Sequence, residues 1–245
     1  MIHLTIDDRP VEVAEGRTLL EACREHAIPV PTLCYHPALE PHGACRLCLV
    51  EVSHASRGAR LVAACAHPCE EGATVKTDGE DVRRSRRLTA ELLLAGAPDA
   101  PEIVRLAREL GVTEVRYTAP ETDTCVLCGL CVRACREIVG VDAISLIGRS
   151  AGARGRAGPP FQVNAAACIG CGTCALICPT GAFKLSAPST WLGTGMAGLR
   201  RIHPSFSEYD QVYCQVCGDA DLSPHFVDAE RVASLLAVTA MKDEG

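Results

Sequence analysis

Two stretches of the chain repeat one cysteine spacing. Cys125, Cys128, Cys131 and Cys135 stand as C-x₂-C-x₂-C-x₃-C, and Cys168, Cys171, Cys174 and Cys178 repeat it, the second run closing on Cys178-Pro179. Thiolates are soft ligands that select zinc, copper or iron–sulfur clusters. Zinc closes its tetrahedron with two C-x₂-C pairs, so two triplets each followed by a lone cysteine fit it poorly. Three closely spaced thiolates on a glycine-containing loop can hold three irons of a cubane. The fourth, further along the chain, serves the neighbouring cluster when two such runs stand together. The spacing therefore predicts one 4Fe–4S cluster on Cys125, Cys128, Cys131 and Cys178, and a second on Cys168, Cys171, Cys174 and Cys135. Arg136 replaces the usual proline after the first run, which alters the chain's exit and not the ligands.

A second set, Cys34, Cys45, Cys48 and Cys65, has the spacing C-x₁₀-C-x₂-C-x₁₆-C, which is not that of plant-type 2Fe–2S proteins. Its contexts are Leu33-Cys34-Tyr35-His36-Pro37, Gly43-Ala44-Cys45-Arg46-Leu47-Cys48 and Ala64-Cys65-Ala66-His67-Pro68. In these it resembles the 2Fe–2S domain at the head of complex I's large iron–sulfur subunit, of the diaphorase small subunit of NAD-reducing nickel–iron hydrogenases, and of iron-only hydrogenases. The resemblance extends over residues 1–187, through Ala90-Glu91-Leu92-Leu93-Leu94-Ala95, Cys128-Gly129-Leu130-Cys131-Val132-Arg133-Ala134-Cys135 and Val139-Gly140-Val141-Asp142-Ala143-Ile144. It implies a β-grasp fold for the 2Fe–2S domain and selects Cys65 over Cys69 as the fourth ligand. Cys23 reads as a small buried hydrophobe, and His36, His42 and His67 as loop residues. The family usually carries a further His-Cys₃ cluster between these parts. Gly96-Ala97-Pro98-Asp99-Ala100-Pro101-Glu102 holds neither His nor Cys, so that station is expected to be missing.

The elements that must position these thiols read as α+β. Residues 1–80 form the 2Fe–2S ferredoxin-like β-grasp domain. It opens on a hairpin, His3–Ile6 and Val11–Val13, around Asp7-Asp8-Arg9-Pro10. A helix follows from Thr18 to near Ile28-Pro29, then strands over Cys48–Val52 and Ala73–Lys76. Residues 81–118 read as a helical linker with helices over Val82–Leu94 and Glu102–Leu110. The run Arg83-Arg84-Ser85-Arg86-Arg87 reads as a solvated helix face. Residues 119–187 are the two-cluster ferredoxin domain. Residues 188–245 are a C-terminal extension with a helix over Asp228–Met241.

That extension carries Cys214 and Cys217 in a half zinc knuckle. His203 or His225 could complete a Cys₂His₂ zinc site; a metal shared with another subunit, or no metal, are the alternatives. Gly193-Thr194-Gly195-Met196-Ala197-Gly198 matches G-x-G-x-x-G without the strand and helix that a dinucleotide site requires.

Composition narrows the function classes. The 245 residues include 48% hydrophobic and 22% charged, so the chain is not disordered. A net charge of −6 and a pI near 5.8 disfavour nucleic acid. Three oxidised cluster cores and twelve thiolates take the loaded chain to roughly −12. Phe161–Phe183 lacks charge but is broken by Gly170, Gly172, Pro179 and Gly181, so no membrane span is expected. Met1–Asp8 has no signal-peptide pattern, which points to the reducing cytoplasm. The expected function is an electron-transfer subunit of a multi-subunit oxidoreductase. The resemblance implies a flavoprotein NAD(P)H-oxidising subunit at one end, and a hydrogenase- or formate-dehydrogenase-type catalytic subunit at the other. The 245 residues are not expected to hold the family's larger catalytic domains. A free-standing ferredoxin-like carrier and a zinc-binding structural or regulatory module are the competing readings.

Overall fold

A computed structural model describes residues 1–55, 57–118, 124–146, 161–164, 167–168, 171–186 and 201–204, with 184–186 and 201–204 as backbone only. These residues form two compact units: 1–35 with 40–118, and 36–39 with those from 124 onward.

The first unit begins with β1 (Ile2–Ile6) and β2 (Arg9–Val13). The two-residue loop between them, Asp7-Asp8, holds both residues at positive φ, 46° and 63°, the conformation that matches the twist of a tight hairpin. Helix α1 (Leu19–Glu25) starts at a reciprocal cap. The Thr18 hydroxyl accepts from Glu21 N–H, and the Glu21 carboxylate accepts from Thr18 N–H at 2.8 Å, satisfying two otherwise orphaned donors. Strands β3 (Leu49–His54), β4 (Arg57–Ala63) and β5 (Thr74–Lys76) complete a five-stranded sheet in the order β2-β1-β5-β3-β4. Only β1 and β5 run parallel. This is the β-grasp arrangement.

The period-2 face of the strands buries Leu4, Ile6, Val11, Val13, Val50, Val52 and Val75, packed with Leu19, Leu20, Ala22 and Cys23 of α1. Each fully buried aliphatic contributes about 1.5–3 kcal/mol to holding the sheet against α1.

Residues 81–118 belong to this unit. Helix α2 (Glu80–Gly96) packs on β3 and α3 (Pro101–Glu109) packs on α2. The buried Glu91 carboxylate receives Arg116 through its backbone N–H at 2.7 Å and its guanidinium at 2.6 Å. The reading of the arginine run as a uniformly solvated face is corrected at one position. Val82, Arg86 and Ala90 share the buried side of α2, because spacing by four residues places them on one face.

The second unit is built from short pieces: α4 (Leu130–Ala134), a π-helical turn (Cys135–Val139), β6 (Ile144–Leu146), β7 (Phe161–Val163), α5 (Thr173–Leu176), β8 (Phe183–Ser186) and β9 (Arg201–Pro204). Strands β6 and β7 pair antiparallel, as do β8 and β9. Phe161 and Phe183 stack with centroids 4.3 Å apart. Leu39 is buried in this unit with Leu130, Ala134, Ile138 and Ile177. No helix among the described residues is long and apolar enough to cross a membrane.

Candidate metal centres

In the first unit, Cys34, Cys45 and Cys48 lie on the irregular segment between α1 and β3, and Cys65 on the turn after β4. The β3–β4 register brings that turn back, with Ala64 N–H donating to the Cys48 carbonyl at 3.0 Å. The four thiols stand as two hydrogen-bonded pairs, Cys34 with Cys45 and Cys48 with Cys65. Cys45 N–H donates to Cys34 Sγ at 3.4 Å, and the backbone amides of Leu47 and Gly43 point at Cys45 and Cys65. Gly43 sits at φ +61°, where a Cβ would meet Ala66 and Ala63 at 3.6 and 3.7 Å. Those are ordinary contacts, so it is the left-handed backbone and not the space beside it that calls for glycine.

Shared protons set the thiols apart. The hydrogen bond from Cys65 lowers Cys48, and the reciprocal bond raises Cys65. Cys45 is raised by its bond to Cys34 and then by burial. Four neighbouring thiols, three of them buried and Cys45 partly so, cannot all ionise alone; a bound cation core removes that repulsion, since a coordinating thiol is deprotonated outright. Two thiol pairs are also the donor set for two irons, two thiolates each. The residues fit a 2Fe–2S group.

Cys69 faces elsewhere. Burial and then the Glu21 and Glu25 charges push its thiol up to about 11, and its N–H donates to the Arg17 carbonyl at 2.8 Å. Cys23 is buried within the apolar core, its thiol pushed up to about 12 by burial first. Neither belongs to the four-thiol set. The His36 Nδ1 accepts from Ala38 N–H at 3.2 Å. The His67 ring lies between Arg60 and the Pro68 carbonyl.

The second unit crosses its two cysteine runs. Burial raises Cys131, and the charges that raise it further are, in order, Cys128, Cys178, Cys125 and Cys174. For Cys174 burial is followed by Cys171, Cys168 and Cys135. Thus Cys178 of the second run stands with the first triplet, and Cys135 of the first run stands with the second. The repeat is carried into backbone geometry. Gly129 and Gly172, each just after the second cysteine of its run, both adopt left-handed φ, +75° and +79°, at the starts of α4 and α5. That turn swings the third cysteine onto a helix and the fourth past its end. Cys135 opens the π-helical turn and accepts from Ala143 N–H at 3.3 Å. The Cys171 thiol reaches the Thr173 hydroxyl at 3.3 Å.

No group of three or more His, Cys, Asp or Glu among the described residues surrounds a single-ion position. The first three cysteines of each run, taken with the fourth of the other, make four thiols, the donor set of a cubane, so the residues fit two such groups. Of the tail site, Cys214, Cys217 and His225 lie outside the described residues, and His203 is described only as backbone in β9. The G-x-G-x-x-G stretch and the helix expected over Asp228–Met241 also lie outside them.

A β-grasp unit with two thiol pairs, followed by a unit with two crossed thiol quartets, defines an iron–sulfur protein of the 2Fe–2S plus dicluster kind. Family models agree: residues 1–80 match a 2Fe-2S iron-sulfur cluster binding domain and residues 124–182 a 4Fe-4S dicluster domain. One of the NADH-quinone oxidoreductase subunits of Rhizobium meliloti is 31% identical over 74% of this chain and 24% of its own length. The NADPH-Fe(3+) oxidoreductase subunit alpha of Geobacter sulfurreducens is 30% identical over 88% of this chain and 27% of its own. A chain from a crystal structure of NAD+-reducing [NiFe]-hydrogenase in the H2-reduced state superposes with a TM-score of 0.53. It is 31% identical, with 61% of this chain and 71% of that chain covered. The chain belongs to the family of iron–sulfur subunits shared by NAD(P)H-linked oxidoreductases and hydrogenases. It spans about a quarter of the length of the two curated relatives, from Rhizobium and Geobacter.

Proposed function

We propose that this chain relays single electrons within a multi-subunit oxidoreductase of the reducing cytoplasm, between a flavoprotein that oxidises NAD(P)H and a hydrogenase- or dehydrogenase-type catalytic subunit. Cys34, Cys45, Cys48 and Cys65 hold a 2Fe–2S cluster. Cys125, Cys128, Cys131 and Cys178 hold one 4Fe–4S cluster, and Cys168, Cys171, Cys174 and Cys135 hold the other. When bound, the clusters supply one-electron redox chemistry whose potential follows charge, burial and hydrogen bonds to sulfur. The protein's part is to hold the thiols in their pairs and quartets, to aim the Gly43, Leu47 and Ala143 amides at sulfur, and to exclude water.

The observation that supports this reading is the sorting of twelve thiols into three fours, with Cys135 and Cys178 exchanged between the two runs. Anaerobic purification tests it. About 10 irons per chain are expected, with reduced-state EPR signals from one 2Fe–2S and two 4Fe–4S centres, and a flavoprotein retained in pull-down at low salt. Four irons or fewer with stoichiometric zinc would overturn the cluster assignment. Full iron with no retained partner would make the chain a free carrier. Zinc beyond the iron, lost on replacing Cys214 and Cys217, would assign the tail site.

A further inference from the structure

Arg86 lies in the apolar stripe of α2, between Val82 and Ala90, with only 5% of its surface exposed. One guanidinium nitrogen donates to the Leu49 carbonyl at 2.6 Å, and its Nε is buried without a hydrogen-bond partner. Buried arginines are rare unless paired, yet no carboxylate forms an ion pair with this one among the described residues. The acids within its field are engaged elsewhere. The Asp7 carboxylate accepts from the Thr77 N–H and hydroxyl. Asp78 is 70% exposed and faces Arg83 at 3.9 Å. Arg86 therefore carries a charge into the first unit that no protein side chain neutralises at contact.

Arg86 lies beside the four-thiol set. The carbonyl it binds belongs to the residue after Cys48, one of the four converging thiols, and Cys48 is among the groups whose charge acts on Arg86. Four thiolates around a 2Fe–2S core carry a net charge of about −2 when oxidised and −3 when reduced. A buried cation beside that assembly is stabilised by it, and stabilises the more negative, reduced form most.

We propose that Arg86 is the built-in counter-charge of the 2Fe–2S site, a residue that raises its reduction potential from outside the ligand sphere. This rests on the assignment of Cys34, Cys45, Cys48 and Cys65 to that cluster. As a general scale, a unit charge about 10 Å from a redox centre, in an effective dielectric of about 20, changes its reduced-to-oxidised ratio roughly tenfold. For one electron that is about 59 mV. A merely structural arginine, kept to satisfy the Leu49 carbonyl, would leave the ratio unchanged.

The experiment is a redox titration of the full holo chain, following the EPR signal of the 2Fe–2S centre with the cubane signals as internal reference. Arg86→Gln keeps a donor for the Leu49 carbonyl and removes the charge. It is expected to lower the potential by about one decade in the ratio, with iron content intact and the cubanes unmoved. Arg86→Met removes charge and donor together and suits an apolar stripe, so it reads the same shift if the glutamine variant fails to fold. Arg86→Lys keeps the charge and is expected to stay within threefold of the wild-type ratio. A charge-free variant that holds its cluster at the wild-type potential would overturn the proposal, as would a lysine variant that shifts as far as glutamine. Absence of a 2Fe–2S signal from the wild-type chain would instead refute the cluster assignment.

Discussion

Removing one thiol of the first unit distinguishes a ligand from a bystander four residues away. Cys65 is buried and hydrogen-bonded to the Cys48 thiol, whereas Cys69 is turned toward α1. For Cys69 to take over, the segment between them would have to slide. Three backbone hydrogen bonds hold it: Leu20 N–H to the Ala64 carbonyl at 3.0 Å, Leu19 N–H to the His67 carbonyl at 2.9 Å, and Cys69 N–H to the Arg17 carbonyl at 2.8 Å. At a net of ~1 kcal/mol each, with more for any group left buried and unpaired, their loss costs about 3 kcal/mol or more. That disfavours the slipped arrangement by over a hundredfold at ~1.4 kcal/mol per decade. Cys65→Ala is therefore expected to lose the 2Fe–2S signal and fall from about 10 to about 8 irons per chain. Cys69→Ala is expected to keep about 10 irons and lose about 1 kcal/mol of stability from the deleted buried sulfur. Iron quantification with visible and EPR spectra reads both variants. Full iron and an intact 2Fe–2S spectrum in Cys65→Ala would refute the reasoning, and loss of the cluster in Cys69→Ala would refute it more directly.

Three further outcomes are expected. The Glu91 carboxyl is held below its ordinary range by the hydrogen bonds from Arg116, so its contribution is present above the unfolded pKa near 4.5 and is lost as the pH falls through the folded value. Thermal melts of wild type and Glu91→Gln should differ most near neutrality and converge in acid; a constant gap at every pH would argue against it. Phe161→Ala removes a buried ring stacked on Phe183 and should cost about 3–5 kcal/mol, read as lost cubane iron on mild heating while the 2Fe–2S spectrum persists. Chelation of iron under reducing conditions should leave residues from 124 onward open to limited proteolysis and residues 1–118 resistant, with mass spectrometry identifying the fragments.

What the sequence makes legible divides by range. Ligand spacing is a local property, so both C-x₂-C-x₂-C-x₃-C runs are visible in it, as are the Asp7-Asp8 turn and the start of a helix at Thr18. Helices expected over Val82–Leu94 and Glu102–Leu110 lie within α2 and α3 to a residue or two. Strand β4 escapes a sequence reading, because Arg57-Gly58-Ala59-Arg60 is exposed and shows no alternation; it is a strand only by pairing with β3. The parallel contact of β1 with β5 joins residues about 70 apart in sequence, which no window reports. Arg86 is hidden in a run of five positions rich in arginine. Its signal is present in Val82, Arg86 and Ala90 at four-residue spacing, but the charge of its neighbours masks the period.

The two units differ in what fills their centres, and this explains why only one should survive iron removal. The first is centred on aliphatic side chains from its strands and α1, and only two of the four candidate ligands, Cys48 and Cys65, are among the eighteen buried residues of that core. The second has no helix longer than five residues and no strand longer than four among its described elements. Helices that short have no stability of their own. Three of the seven buried residues at its centre are Cys131, Cys135 and Cys174, whose thiols are raised by burial and by neighbouring thiols. Without a metal core those sulfurs supply little apolar area and cannot ionise together. With one, each becomes a bond between distant points of the chain: Cys178 to the 125–131 loop, and Cys135 to the 168–174 loop. Under the proposed assignment, the crossed fourth cysteines tie each half of the repeat to the other. On that assignment, folding of this unit and cluster assembly should be one equilibrium, whereas in the first unit the cluster would be added to a fold that already stands.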